Sequence, residues 1–412
     1  MKGFGWLDKL RRNEGGNALA IAAATMPLML GAAGLAVDTI QLSVRKRQLQ
    51  RAADSAAVAG VYGLTQGDGQ AIHATEAVHS DLEQNRFPTL TQQESVTVGP
   101  LGTFDRTVSV ELVSSRTLPF MSIFTSAPSA IRARASAALV NEGTFCVLSL
   151  YDGTQTGVDV GGNADIDLGC GVASNSRATQ AVTAGGSSEL NASPIMAVGG
   201  LNGANNNFSD GTQLQPNSSA QRDPFAGVPD PAPCTPSSAL SVGPQDTVTL
   251  PTGNHCFSSA DIKGTLNIGE GSTITIYGGN LQFGSQANVT AARTAWLLTG
   301  PGGAAGDFGM NAQATLNLTA PRSGPYSSIL FYRDRRADST EITINGGADA
   351  TLEGAFYFPT SNVRVNGNAE FEVRCFQLVG QILTFRGTAE IHNTCDAGGD
   401  SGFQMQYVRL IR

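Results

Sequence analysis

The first part of the chain contains a long uncharged apolar stretch. Residues 18–37 contain no charged side chain and are rich in alanine, leucine and glycine. Twenty such residues match the length of an α-helix that crosses the hydrocarbon core of a bilayer. Pro27 is tolerable in such a helix. The pattern predicts a transmembrane helix over 18–37, preceded by a cytoplasmic tail over 1–17.

The helical period continues beyond this span without a break. A narrow stripe of apolar and small residues recurs at spacings of seven, four, three and four, while Arg47, Arg51 and Asp54 occupy another face. A signal peptide would have a shorter apolar core, then a cleavage site and unrelated sequence. An uncleaved anchor that extends as an amphipathic helix is therefore favoured. The stripe consists of Leu42, Leu49, Ala53, Ala56 and Gly60.

Residues 38–140 have the pattern of a small module of helices and strands. A second helical stripe begins at Ala71, and Pro88 follows it. Alternation in "ESVTVGPLGTFDRTVSVELVSS" predicts two strands joined by a short turn, and "AIRARASAALV" predicts a third. The uncharged "TLPFMSIF" before the third strand predicts a short helix or loop. A long helix on a small antiparallel sheet is a pilin-like architecture.

Residues 141–412 repeat one phrase: an alternating strand, a Gly or Asn turn, and another alternating strand. The turn glycines Gly346, Gly367 and Gly387 are 21 and 20 residues apart. Such a period predicts a parallel β-solenoid, in which each coil buries its apolar face against its neighbours. An antiparallel β-sandwich is the alternative, because Asn-Gly also makes hairpins. The expected interior positions include Ile342, Ile344, Val363, Val365, Leu383 and Phe385.

These patterns predict an α+β protein with a mostly β body. An N-terminal transmembrane helix would extend into the pilin-like module, and a parallel β-solenoid-like domain would follow. Residues 203–244, rich in Asn, Ser and Pro, show no period and predict an irregular excursion from the body. With 49 glycines and 15% charged residues, the composition also indicates many turns between short strands.

The charge is unevenly distributed along the chain. Residues 1–54 contain eight Lys or Arg and four Asp or Glu, which gives this segment a net charge of +4. Because the whole chain has a net charge of −8, the remaining residues carry −12. An acidic body argues against nucleic-acid binding. Basic residues flank the apolar span equally on both sides, so their count does not decide the orientation. The short tail, the cysteines and the glycine-rich body favour a single-pass membrane protein with its N-terminus in the cytoplasm and its body outside.

The six cysteines predict disulfides. None forms a C-x-x-C pair, and the four histidines are too scattered for a zinc or iron–sulfur site. An even number of cysteines in a non-cytoplasmic protein is typical of disulfide bonding. The favoured local pairing is Cys146–Cys170, Cys234–Cys256 and Cys375–Cys395, with buried free thiols as the alternative.

The order "RRNEGGNALAIAAATMPLMLGAAGLAVDTIQLSVRKRQLQRAADSAAVAG" resembles the N-terminal segment of TadG-type proteins of the Flp (tight-adherence) pilus assembly system. The shared features are the lead-in, the proline in the span, the G-A-A-G-L-A-V-D exit and the L-Q-x-A-A-D-S-A-A-x-A-G run. The resemblance implies an inner-membrane accessory protein or a pilin-like component. Pilins carry a glutamate five residues after the cleaved glycine. Here the corresponding residues after Gly16 and Gly3 are Ile21 and Asp8, so an uncleaved anchor is favoured.

No motif for catalysis, cofactor binding or metal binding stands out. In "YDGTQTG", Asp152, Thr154 and Thr156 imitate a von Willebrand A metal loop, but a strand pattern follows where a helix is needed. The carboxylate pairs Asp165 with Asp167 and Glu370 with Glu372 would suit acid–base chemistry in a glycan groove. Neither basic residues for a uronate nor an aromatic platform accompanies them. We therefore expect no enzyme, cofactor or metal site.

"FYRDRRADST" is the most basic part of the body. Arg333, Arg335 and Arg336 predict a solvent-exposed turn, with a docking patch for an acidic partner as the sharper alternative.

The sequence therefore predicts a structural component of a Flp pilus, anchored in the inner membrane and acting through contacts with other pilus assembly proteins and pilins. Gly31 and Gly34 would let membrane helices approach closely, which also permits oligomerisation. Two alternatives remain at this stage: a membrane-anchored glycan-binding or glycan-cleaving β-helix protein, and a minor pilin incorporated in the filament.

Overall fold

The computed structural model describes residues 15–66, 69–85, 92–204, 206–311, 313–346, 350–367, 370–388, 390–395 and 402–411. The chain divides into two compact units, which are described separately. The first comprises Met1–Val140 with Val408–Arg412, and the second comprises Asn141–Tyr407. Most of the predicted tail, residues 1–14, lies outside the described residues, as does Pro88.

Two helices belong to the first unit. Helix α1 (Gly15–Gln66) runs without interruption through Pro27. Helix α2 (Ala71–Gln84) buries its stripe of Ala74, Val78 and Leu82. The uncharged span and the amphipathic stripe therefore form a single helix.

Three antiparallel strands follow: β1 (Gln92–Leu101), β2 (Phe104–Arg116) and β3 (Ser129–Ser149). The part of β3 up to Val140 belongs to the first unit, and the rest belongs to the second. Val98 of β1 lies opposite Val108 of β2. A 3-10 turn, Met121–Ile123, lies between β2 and β3. The predicted stripe of α1 packs on this sheet, with Leu49, Ala53 and Ala56 fully buried and Leu42 partly buried. The pilin-like arrangement of a helix on a sheet is confirmed.

The second unit is a parallel β-solenoid built mostly from short strands. The strands that follow β3 are β4 (Val158–Val160), β5 (Asp165–Asp167), β6 (Gly171–Ser174), β7 (Val182–Ala184), β8 (Glu189–Asn191), β9 (Ile195–Ala197), β10 (Leu201–Asn202), β11 (Leu214–Gln215), β12 (Leu240–Val242), β13 (Thr247–Leu250), β14 (Asn254–Phe257), β15 (Ala260–Ile262), β16 (Thr265–Ile268), β17 (Thr273–Tyr277), β18 (Leu281–Phe283), β19 (Asn288–Ala291), β20 (Ala295–Thr299), β21 (Phe308–Met310), β22 (Thr315–Thr319), β23 (Ile329–Arg333), β24 (Glu341–Gly346), β25 (Thr351–Phe358), β26 (Asn362–Gly367), β27 (Glu370–Gly380), β28 (Leu383–Gly387), β29 (Glu390–Thr394) and β30 (Phe403–Ile411).

The solenoid interior is filled by the aliphatic positions of the repeated phrase. Ile342 pairs in register with Val363, and Val363 with Leu383. All six expected interior residues are buried. Because residues at the same coil position stack directly above each other, one alternating pattern repeated along the chain produces one continuous core. The predicted fold class is confirmed, and the alternative antiparallel sandwich is wrong.

The chain enters the solenoid in the middle of the stack. One face is a ten-stranded parallel sheet with the order β10-β7-β4-β28-β26-β24-β21-β18-β15-β12. The first coil, which contains β4, therefore lies between the second coil, which contains β7, and the last coil, which contains β28. The excursion carries the chain from one end of the stack to the other, and the later coils return to the first.

A column of glycines forms one corner at this junction. Gly387, Gly162 and Gly186 have positive φ angles of 89°, 80° and 73°. A Cβ on Gly162 would approach the carbonyl of Gly387, and one on Gly186 would approach that of Gly162. Glycine is needed because the backbone turns through a left-handed conformation and the coils stack too closely for a side chain.

The three cysteine pairs are disulfide-bonded in the local pattern, Cys146–Cys170, Cys234–Cys256 and Cys375–Cys395. All three bonds lie in the second unit. The alternative of buried free thiols is wrong for these residues.

Candidate functional site

The first part of α1 carries large apolar side chains that are largely exposed among the residues the structure describes. Leu28 is 74% exposed. By length and composition, α1 can cross a membrane within Ile21–Thr65. An apolar surface of this extent indicates a lipid or protein neighbour. The other exposed apolar residues of this part are Ile21, Met26, Met29, Leu30, Leu35, Val37, Ile40 and Val44.

Asp38 marks the end of the uncharged span, and its side chain is only 4% exposed. Its carboxylate accepts hydrogen bonds from the backbone N–H of Phe120 at 3.2 Å and of Met121 at 2.7 Å. These donors stand at the start of the 3-10 turn, where the backbone N–H groups have no partner within the turn. A charged acceptor makes these hydrogen bonds stronger than neutral ones. Asp38 therefore fixes the turn to the helix.

Gly34, one helical turn before Asp38, faces the same segment. A Cβ at Gly34 would overlap the ring of Phe120, whereas a Cβ at Gly31 has open space around it. Gly34 therefore lets Phe120 of the same chain lie against the helix. The predicted role of both glycines in packing against another membrane helix stays a prediction. Of the two, only Gly31 has open space at the position of a Cβ, where another helix could approach.

The basic cluster of the body is not solvent-exposed as a whole. Arg333 is 2% exposed, and its guanidinium donates to the carbonyls of Ala305, Gly306 and Asp338. Burial lowers the pKa of Arg333. The prediction of an exposed turn is therefore wrong for Arg333, whose charge is satisfied inside the solenoid.

Arg335 instead holds part of the excursion, residues 221–230, which we call the strap. Its guanidinium donates to the carbonyls of Phe225, Ala226 and Val228 and pairs with Asp230 at 3.2 Å. Arg336 also lies near Asp230, at 3.5 Å. Arg335 and Arg336 therefore pair with an acidic residue of the same chain. A docking patch for another acidic partner stays a prediction, since the side chain of Arg336 is 45% exposed.

The strap covers an apolar outer face of the solenoid. Phe225 packs edge to face on Tyr357, whose hydroxyl donates to Asp223 at 2.7 Å. Burial, and then the contact with Asp223, raises the pKa of Tyr357. The disulfide Cys234–Cys256 fixes the chain beyond the strap to β14. Phe225 and Val228 of the strap pack on this face together with Leu150, Tyr326 and Phe403, which lie outside the strap. The buried residues of the face are Phe145, Leu148, Ala173, Met196, Ala295, Leu297, Ile329, Tyr332, Ala355, Tyr357 and Val379.

A groove of about 1150 Å³ lies beside the strap. Glu270, Arg293 and Tyr326 are among its lining residues. Arg293 and Glu270 form an exposed ion pair at 3.0 Å. Burial, followed by the neighbouring Tyr332, Asp230 and Asp334, raises the pKa of Tyr326 to about 12. The groove therefore offers a neutral phenol and a paired charge, which suit hydrogen bonding to a polar ligand.

The candidate carboxylate residues occupy corresponding positions of neighbouring coils. Asp165 and Asp167 are in register with Glu390 and His392, and Glu370 and Glu372 lie one coil further along. Asp167 accepts a hydrogen bond from the side chain of Asn191. Within the described ranges, no group of three or more His, Cys, Asp or Glu is placed to hold a metal ion. Asp152 of the imitated metal loop is largely exposed and is followed by strand β4.

Comparison with known families identifies the N-terminal segment. The family described as "Putative Flp pilus-assembly TadE/G-like" matches residues 16–66. The match covers nearly all of α1 and includes Gly34 and Asp38. No curated protein and no solved structure matches the chain. The resemblance to TadG-type proteins is confirmed for this segment, and it supports a role related to Flp pilus assembly.

Proposed function

We propose that this protein is a structural component of a Flp pilus assembly system, anchored in the inner membrane by α1. The supporting observation is that the matched segment changes character between Val44 and Leu49. Up to Val44 the large apolar side chains of α1 are mostly exposed, and from Leu49 they form the core of the first unit. One rigid helix thus joins a lipid-compatible half to a folded half.

The N-terminus lies in the cytoplasm and the body in the periplasm. The three disulfides support this orientation, because disulfides persist in oxidising compartments and are rare in the cytosol. The protein acts through contacts with pilins and other assembly proteins and not through catalysis.

The helix surface around Gly31 is the proposed contact with a partner helix in the membrane. Gly31→Leu adds a bulky side chain where the structure has open space. We expect less co-purification of pilus components and fewer pili, because close helix approach is lost. Ala33→Leu is the matched control, since it places the same side chain on nearly the opposite side of α1. Equal co-purification from both variants would remove this contact.

A glycan-binding role is the second candidate, and the groove beside the strap is the observation that favours it. Binding of the full chain to a polysaccharide, lost in Tyr326→Phe, would support that role. Pilus loss on gene deletion, without glycan binding, supports the assembly role. Incorporation as a minor pilin predicts a processed N-terminus, whereas the anchor predicts an intact one by mass spectrometry.

A further inference from the structure

The segment Pro119–Thr125, which we call the apolar loop, lies within a longer uncharged stretch. Residues 117–131 contain no charged side chain. Ile123 and Phe124 are each 72% exposed, and Met121 is exposed beside them. Large apolar side chains concentrated at the tip of a short loop are costly in water, so the tip needs an apolar neighbour.

The contacts with α1 place this loop at the level of the proposed membrane span. Phe120 lies against Gly34, which is four residues before Asp38 and therefore about 6 Å closer to the centre of the span along the helix. Leu35, Val37 and Ile40 of α1 are exposed at the same level. The tip of the loop therefore continues the apolar surface of the anchor and is not a separate patch.

The backbone N–H groups of the apolar loop, from Phe120 to Thr125, all have acceptors among the described residues. The N–H groups of Phe120 and Met121 donate to Asp38. The next four N–H groups, from Ser122 to Thr125, donate to the carbonyl oxygens of Leu118, Phe120 and Met121. The hydroxyl of Ser122 also donates to a carbonyl, that of Pro119. Non-helical backbone can enter the edge of a bilayer only where its polar groups are satisfied by protein or by water.

We propose that the apolar loop inserts Met121, Ile123 and Phe124 into the outer leaflet of the inner membrane, beside the point where α1 leaves it. This inference rests on the proposed anchoring of α1. The loop then forms a second membrane contact, and with α1 it holds the first unit at the bilayer surface. Aromatic and apolar side chains favour this interfacial region.

Tryptophan fluorescence of the full chain in vesicles tests the proposal. Phe124→Trp and Ile123→Trp add a fluorophore at exposed positions, so the fold should be retained. Leu101→Trp is the matched control, because Leu101 is exposed in the same unit but lies at the other end of β2, roughly 40 Å away. The vesicles contain phosphatidylethanolamine and phosphatidylglycerol, either plain or brominated near the headgroup end of the acyl chain. The emission of the parent chain is subtracted.

For F124W and I123W, we expect the fluorescence of the introduced tryptophan to be blue-shifted and to be mostly quenched in brominated vesicles. For L101W, we expect no quenching of the introduced tryptophan. Added emission from F124W and I123W that matches L101W would overturn the proposal. A blue shift without quenching would also overturn it, because a protein neighbour would then cover the tip. If the parent chain itself fails to float with the vesicles, the anchoring by α1 is wrong. The two failures are therefore distinguishable.

Discussion

The carboxylate of Asp38 accepts a hydrogen bond at 2.7 Å from the backbone N–H of Met121, which lies 83 residues later in the chain. This contact joins the exit of the apolar span to the loop between β2 and β3. Together with the packing of Phe120 on Gly34, it ties the G-A-A-G-L-A-V-D motif to the folded module. The motif therefore has a structural role at the end of the span, in addition to its apolar character.

Asp38→Ala should release the apolar loop from α1. The change leaves two backbone N–H groups without their acceptor, at a cost of about 1–3 kcal/mol each if they stay buried. We expect faster hydrogen exchange at Phe120 and Met121 in the full chain. Thr39→Ala, at the neighbouring exposed position, is the control. Unchanged exchange in Asp38→Ala would show that the carboxylate does not hold the loop.

Gly34→Ala should displace Phe120, because the added methyl would overlap its ring. Overpacking of this kind costs about 1–3 kcal/mol. Gly31→Ala has open space and should instead favour the helix slightly, by up to about 1 kcal/mol. Protease resistance of the 117–128 segment should therefore fall for Gly34→Ala alone. A similar effect of both variants would contradict the specific packing of Gly34.

Arg335→Ala should free the strap from the solenoid while the coils stay folded. Hydrogen bonds from a charged donor contribute about 1.5–3 kcal/mol, and this guanidinium contacts three carbonyls of the strap. Limited proteolysis should then cut within 221–230. Arg293→Ala breaks an exposed ion pair with an expected effect of about 0–1 kcal/mol. An intact strap in Arg335→Ala would show that the other contacts hold it alone.

The solenoid should lose stability in alkali through its buried phenols. The pKa of Tyr326 is about 12 in the fold, against an ordinary value of 10.0. The folded state therefore keeps the proton longer than the unfolded state. This stabilisation is complete below pH 10.0 and is lost as the pH rises towards about 12. Tyr326→Phe should make the fall in unfolding free energy across this range shallower, whereas Tyr62→Phe in the other unit should not.

The sequence predicts those features of the fold that come from a short repeating pattern of residues. The stripe ending at Gly60 predicts the buried face of α1, because every third or fourth residue of a helix shares one side. The 21- and 20-residue spacing of Gly346, Gly367 and Gly387 predicts the coils. The local disulfide pairing follows the same logic, since each sequence separation is close to one coil.

Contacts between segments that are distant in the chain leave no repeating pattern in the sequence, so they could not be predicted from it. The entry of the chain at the middle of the stack could not be predicted, because neighbouring and distant coils carry the same alternating pattern. The strap contacts of Arg335 join residues 107 to 110 positions apart. A basic run alone therefore suggested either solvent or a partner. From the sequence, Asp38 is only the residue that ends the apolar span. Its hydrogen-bond partners are backbone N–H groups, which every residue except proline has, so no residue type reveals them.

Protease treatment of intact spheroplasts, followed by mass spectrometry of the membrane fraction, tests most directly whether α1 remains attached with the body outside. We predict that protease added outside degrades accessible parts of the body and leaves a membrane-embedded fragment that retains residues 1–37. Release of a soluble chain that begins near Asp38 or later, before any protease is added, would contradict the account. Protection of the whole body until the inner membrane is lysed would contradict it equally.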